Sequence, residues 1–128
     1  MMILCPHFLI DIMKNLVIIG AGGMGRTIFD VARESIGYGI EYTIKGFIDD
    51  NLSALDGFED YPPMLGTISH YLPEVDDVFT FSIGGESRRV CIEYLMERNA
   101  KFINIVHSTA RIGSNVRMGE GNVIGAFT

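Results

Sequence analysis

The sequence predicts an α/β fold, a small parallel sheet with flanking helices, followed by the start of a hexapeptide-repeat left-handed β-helix. Three observations carry this. The apolar run Lys14–Ile19 ends in the glycine loop Gly20-Ala21-Gly22-Gly23-Met24-Gly25 and leads into a segment of helical spacing. Strand, helix, strand then recurs, the rhythm of a Rossmann-like parallel sheet with right-handed crossovers. After His107, aliphatic–glycine pairs return every six residues.

Each element follows from its own residues. Lys14–Ile19 (KNLVII) is short and almost wholly apolar, which suits a strand covered on both faces. Arg26–Ser35 places Ile28, Phe29, Val31 and Ala32 on one side, and Gly37 and Gly39 stop it. Tyr42–Ile48 is a second strand ending at Asp49-Asp50. The polar stretch Asn51–Met64 reads as a loop and Ile68–Leu72 as a short helical turn. Asp77–Ile83 is a third strand ending at Gly84-Gly85. Ser87–Asn99 is a second helix, with Val90, Cys91, Tyr94 and Leu95 as its inner face, and Lys101–Val106 is the next strand.

The repeat pairs Ile112 with Gly113, Met118 with Gly119 and Ile124 with Gly125, and Val116 sits between the first two. In a parallel β-helix each six-residue unit is one flat side of a triangular coil. Its aliphatic residue points inward, and the small residue after it lets the chain turn the corner. One coil cannot bury its own apolar edge, so such a stack needs further repeats. The expected organisation is an N-terminal extension at 1–12, a Rossmann-like domain at 13–107, and an incomplete first coil at 108–128. The chain reads as the front part of a longer protein or a truncated relative.

Length and composition bound the function. The chain is long enough for one ordinary domain, with nearly half its residues apolar and a fifth charged. A formal charge of −6 argues against a broad nucleic-acid face. It does not exclude a phosphate site, because backbone amides at a helix N-terminus hold phosphate without net positive charge. Cys5 and Cys91 show no metal-ligand spacing and no disulfide framework, and Cys91 reads as a buried helix residue. No run reaches the length of a membrane span, and the apolar start lacks the basic and small-residue features of a signal peptide. The expected compartment is the cytoplasm. His7, His70 and His107 are too scattered for a metal site.

The glycine loop fits G-x-G-x-x-G after a strand and before a helix, the context that motif needs. Gly20 permits the turn, Gly22 lets the backbone approach a phosphate, and Gly25 lets helix and strand pack closely. Gly23 and Met24 complete the loop. Asp49 and Asp50 stand where a dinucleotide-binding fold places its ribose-binding acid, although a solvated turn explains Asp50 equally well. Gly84 and Gly85 lie at the same carboxyl edge of the sheet, where ligands bind in such folds. Arg88 or Arg89 meets phosphate there, or either is a surface charge of the helix. His107, at the junction, reads as a structural hydrogen-bonding residue more readily than as a ligand contact.

The ordered set Leu16–Gly25, Gly46-Phe47-Ile48-Asp49-Asp50, Ser82-Ile83-Gly84-Gly85, Ile105-Val106-His107 and the hexapeptide run resembles the sugar acyltransferases of the NeuD/PglD type. These include sialic-acid O-acetyltransferases and N-acetyltransferases of nucleotide-linked amino sugars. The resemblance implies that Gly22–Gly25 lie against nucleotide-sugar phosphates, that Asp49 and Asp50 lie near the nucleoside, and that Gly84 and Gly85 line the same cleft. It implies acetyl-CoA as co-substrate of the full-length enzyme and none bound to this chain, a homotrimer formed through the β-helix, and a catalytic histidine in a later coil. The acceptor would be a sialic acid or a nucleotide-linked sugar. The chain departs from the family's pattern at Met24, where histidine is frequent, and at Gly85-Glu86, where Asp-Asn is usual. The coils that would carry the catalytic histidine are absent, so this chain by itself is expected to bind and not to catalyse. Two other readings stand beside this one: a fragment of an NAD-dependent oxidoreductase, which leaves the hexapeptide run unexplained, and a non-catalytic nucleotide-sensing module.

Overall fold

A computed structural model describes residues 13–114 and 116–125. The expectation of an N-terminal extension at 1–12 lies outside them. The elements in chain order are β1 (Lys14–Ile19), α1 (Gly23–Arg33), β2 (Tyr42–Ile48), β3 (Met64–Gly66), β4 (Asp77–Phe81), α2 (Gly85–Met96), β5 (Ile105–Val106) and β6 (Val123–Ile124). The four longer-range strands form one parallel sheet in the order β3-β2-β1-β4. With β1 central, this is a Rossmann-like α/β sheet.

The central strand explains the core. Leu16, Val17, Ile18 and Ile19 are fully buried, and alternate residues face opposite sides of the sheet. Leu16 and Ile18 pack with Ile28, Phe29 and Ala32 of α1, together with Phe47 and Ile105. Val17 and Ile19 pack with Ile48, Phe79, Phe81, Leu95 and Phe102 on the other side. Apolar residues on both faces of one strand are the signature of a sheet covered on both sides.

β1 and β2 run over the residues that the sequence predicts, whereas other boundaries move. α1 starts inside the glycine loop, three residues before the predicted Arg26, because Gly22 caps it in extended conformation. β4 ends at Phe81 rather than Ile83, since Ser82 leaves the ladder to bind the turn after β1. β3 occupies the end of the expected loop, where Met64–Gly66 pair with Phe47 and Ile48. The predicted strand Lys101–Val106 is divided. Phe102 makes a single parallel bridge to Phe79, and Ile105–Val106 instead pair with Val123–Ile124.

Two further corrections concern α2. Leu95 is fully buried, but Val90 is 54% exposed and so is not part of an inner face. Cys91 is only half-buried. The helix lies over the end of the sheet, and its apolar contacts with the Phe79, Phe81 and Phe102 cluster come from its C-terminal half.

β2 carries one irregularity of consequence. Leu16 pairs with Ile44 and Val17 with Gly46, so Lys45 is an extra residue in the ladder. Such a bulge re-aims a side chain. The Lys45 ammonium reaches past β1 to the Asp77 carboxylate of β4, at 3.0 and 3.2 Å, and to the Tyr71 hydroxyl at 2.8 Å. Glu74 also binds it, and the Glu74 N–H donates to Asp77 at 2.9 Å. Burial works against the Lys45 charge, but hydrogen bonds to Glu74, Tyr71 and Asp77 outweigh it and raise its pKa. Burial and the bond to Asp77 push the Tyr71 hydroxyl up to about 12.

On either side of His107, β5 and β6 form a parallel pair whose partners, Ile105 with Val123 and Val106 with Ile124, stand eighteen residues apart. The Asn104 side chain repeats this spacing by accepting the Asn122 N–H at 2.8 Å. Ile112, Val116 and Met118 are exposed, so this run has no packed interior of its own.

Candidate functional site

The site lies at the carboxyl edge of the sheet, where β1, β2 and β4 deliver their loops side by side. The turn after β1 is clamped from both neighbours. The Gly20 N–H donates to the Ile48 carbonyl at 2.8 Å, and the Ser82 N–H donates to the Ile19 carbonyl at 2.9 Å. The Ser82 hydroxyl donates to Ile19 at 2.7 Å and lies 3.2 Å from the Gly20 carbonyl. Gly20 takes φ +99°, a conformation that glycine adopts without strain. A side chain at Gly25 would meet the Gly20 carbonyl oxygen at 2.0 Å, so α1 crosses the end of β1 as closely as a helix can. Above Gly22 there is open space.

The loop therefore presents the first turn of α1 to solvent. Its first N–H groups have no partners within the helix, and there they carry the positive end of the helix dipole. No acidic residue stands in that turn. Met24 is exposed on it.

Asp49 lies beside the loop and organises it. One carboxylate oxygen accepts the Ala21 N–H at 2.8 Å, and the other accepts the Asn51 N–H at 2.8 Å. Asp50 turns the other way and accepts the Ile68 N–H at 3.1 Å. It borders a shallow cleft with Glu86, Ser87, Val90 and Cys91. Burial pushes the Cys91 thiol up, and the charge of Asp50 adds to that.

Gly84 and Gly85 open α2 at the same edge, with free space above both and φ +66° at Gly85. Glu86 stands in the first turn of α2, where its charge occupies the positive end of that dipole. Arg89 is exposed and forms ion pairs with Glu86 and Glu93 of its own helix. Arg88 lies over the Phe81 ring, 5.2 Å from its centre. Of the two glycine turns, only the one before α1 is free of acid in its first turn.

One residue at this turn escapes sequence reasoning. The Arg26 guanidinium donates to the Ala21 carbonyl at 3.1 Å and stacks on the Phe58 ring, 3.9 Å from its centre. Its outer nitrogen lies 3.9 Å from where a Gly23 side chain would be. The position in the helix was legible. The aromatic ring that orients it comes from a loop 32 residues on, which no periodicity announces.

His107 lies away from this edge. It is buried where the C-terminal end of α1 meets β5, 2.7 Å from a Glu34 carboxylate oxygen, and its Nδ1 accepts the Thr109 N–H at 3.1 Å. His70 is held by Thr67 and Ser69. Among the described residues no group of histidine, cysteine and carboxylates could hold a metal ion. Likewise, no helix among them is long and apolar enough to cross a membrane.

Residues 15–95, from β1 to the end of α2, match the family model of the PglD N-terminal domain. The chain belongs to that family. The glycine loop, Asp49, Asp50, Gly84, Gly85 and Arg89 all fall inside this PglD-type domain. The chain is also 30% identical over 117 residues to a UDP-N-acetylbacillosamine N-acetyltransferase of Bacillus subtilis (strain 168). That match covers 88% of this chain and 51% of the relative, so the chain spans about half of that relative's length.

Proposed function

We propose that this chain is the acceptor-binding part of a sugar acetyltransferase, which moves acetyl from acetyl-CoA to a nucleotide-linked amino sugar or a sialic acid. The observation that carries the reading is the open glycine turn before α1, free of acidic residues in its first turn and held in place by Asp49, within a PglD-type domain. In this reading the first-turn amides of α1 take the phosphates. Gly20 and Gly25 shape the turn, and Gly22, Gly23 and Met24 face the ligand. Asp50, Gly84 and Gly85 border the nucleoside, and Asp49 acts by fixing the Ala21 peptide.

The eighteen-residue offset between β5 and β6 supports a first β-helix coil, because three six-residue sides make one turn of a triangular coil. Further coils would supply the acetyl-CoA site, the general base and the trimer contacts. The chain alone is inactive in this reading. Of its described histidines, His107 is committed to Glu34 and Thr109, and neither it nor His70 contacts the glycine turn.

Calorimetric titration of the chain with UDP-sugars, CMP-sialic acid, free sialic acid, NAD and acetyl-CoA tests the proposal. Heat from a nucleotide-linked sugar or a sialic acid, and none from NAD, is the expected result. Binding of NAD alone overturns the proposal in favour of a redox or sensing role.

A further inference from the structure

We infer that Arg26 is the specificity-determining cation of this site, and that it recognises the diphosphate of a nucleotide-linked sugar rather than the carboxylate of a free sugar acid. The inference rests on the binding role proposed above. Among the described residues, Arg26 is the cation in contact with the glycine turn. The others near this edge are engaged elsewhere. Arg89 is paired with Glu86 and Glu93, and Arg88 lies on Phe81.

Arg26 is also pre-set. One of its five N–H donors is used on the Ala21 carbonyl, and one face of the guanidinium is covered by Phe58. Neither contact neutralises the charge, and no carboxylate among the described residues pairs with it. The outer nitrogen, Nη2, lies over Gly23, beside the open space above Gly22. A planar fork held in this way matches phosphate oxygens in pairs, and little side-chain freedom is lost on binding. Asp49, Asp50 and Glu86 make the rest of the edge acidic. A fixed cation beside the first-turn amides of α1 offsets that acidity and strengthens the hold on a doubly charged ligand. A diphosphate has enough oxygens to engage both the turn and the guanidinium, whereas one carboxylate fills a single position.

The test titrates UDP, UMP, uridine and N-acetylneuraminate into the wild-type chain, Arg26→Leu and Arg26→Lys, at low and high salt. The wild type is expected to prefer UDP over UMP over uridine, with UDP affinity falling as salt rises. Arg26→Leu is expected to lower UDP affinity by about tenfold, to leave uridine unchanged and to flatten the salt dependence. Arg26→Lys keeps the salt dependence. A purely structural role would change affinity without changing the salt response. Equal UDP affinity in Arg26→Leu overturns the inference but leaves the binding role intact. A preference for N-acetylneuraminate over UDP overturns it too, while keeping an acceptor site. Silence from all four ligands in the wild type overturns both. If Arg26→Leu fails to fold, a wild-type UDP affinity indifferent to salt still overturns the inference, and its decline with salt, kept in Arg26→Lys, supports it.

Discussion

Two glycine turns open two helices at one edge of the sheet, and they are built differently. Before α1, Gly25 lies against the Gly20 carbonyl, Ser82 and Ile48 clamp the turn, and Gly25, Ile28, Phe29 and Ala32 are buried along the helix. Before α2, Gly84 and Gly85 have nothing above them, Glu86 occupies the first turn, and Leu95 is the helix's one buried residue. A phosphate-type turn is thus more than glycines before a helix. The turn before α1 adds a strand end locked beneath it and a first turn free of acid above it.

The contrast can be broken by matched substitutions, read by urea unfolding. Gly25→Ala is expected to destabilise the chain by about 3 kcal/mol or to prevent folding, because the new methyl meets backbone that cannot retreat. Gly84→Ala, at φ −130° in open space, should change stability by less than about 0.5 kcal/mol. Equal effects would show that the two turns are packed alike. Asp49→Ala removes the acceptor of two backbone N–H groups and should cost about 2 kcal/mol. It should also broaden or shift the amide resonances of Ala21 to Gly23, and unmoved resonances would remove Asp49 from the turn's support.

Smaller effects sharpen the comparison further. Thr80 is fully buried, and its hydroxyl has no hydrogen-bond partner among the described residues. Thr80→Val keeps the shape and should stabilise by about 1 kcal/mol, and a loss of stability would point to a hidden partner for the hydroxyl. On the looser helix, Val90→Ala should lie within about 0.5 kcal/mol of wild type. A large loss there would mean that α2 is seated more tightly than its exposure implies.

The glycine turn, β1 and β2 were legible because each is specified locally, by an apolar run, a glycine spacing or a pair of aspartates at a strand end. β3 was not, since three residues in a polar stretch carry no period and pair only because β2 offers them a free edge. Val90 misled through its apolar type on a helix whose N-terminal half overhangs the sheet. Arg89 was named for the cleft on its position, yet its charge is drawn to Glu86 and Glu93 one turn away on either side. Arg26 was passed over because its meaning depends on Phe58, far along the chain.

The extra residue in β2 links two positions that sequence comparison would treat as unrelated. Deleting Lys45 would restore an unbroken ladder between Leu16 and Gly46, but it would take the cation from the buried Asp77 carboxylate two strands away and leave it only the Tyr71 hydroxyl and the Glu74 N–H. The insertion in one strand and the acid in another are therefore physically coupled. A relative with β2 one residue shorter should carry an uncharged residue at the start of its β4.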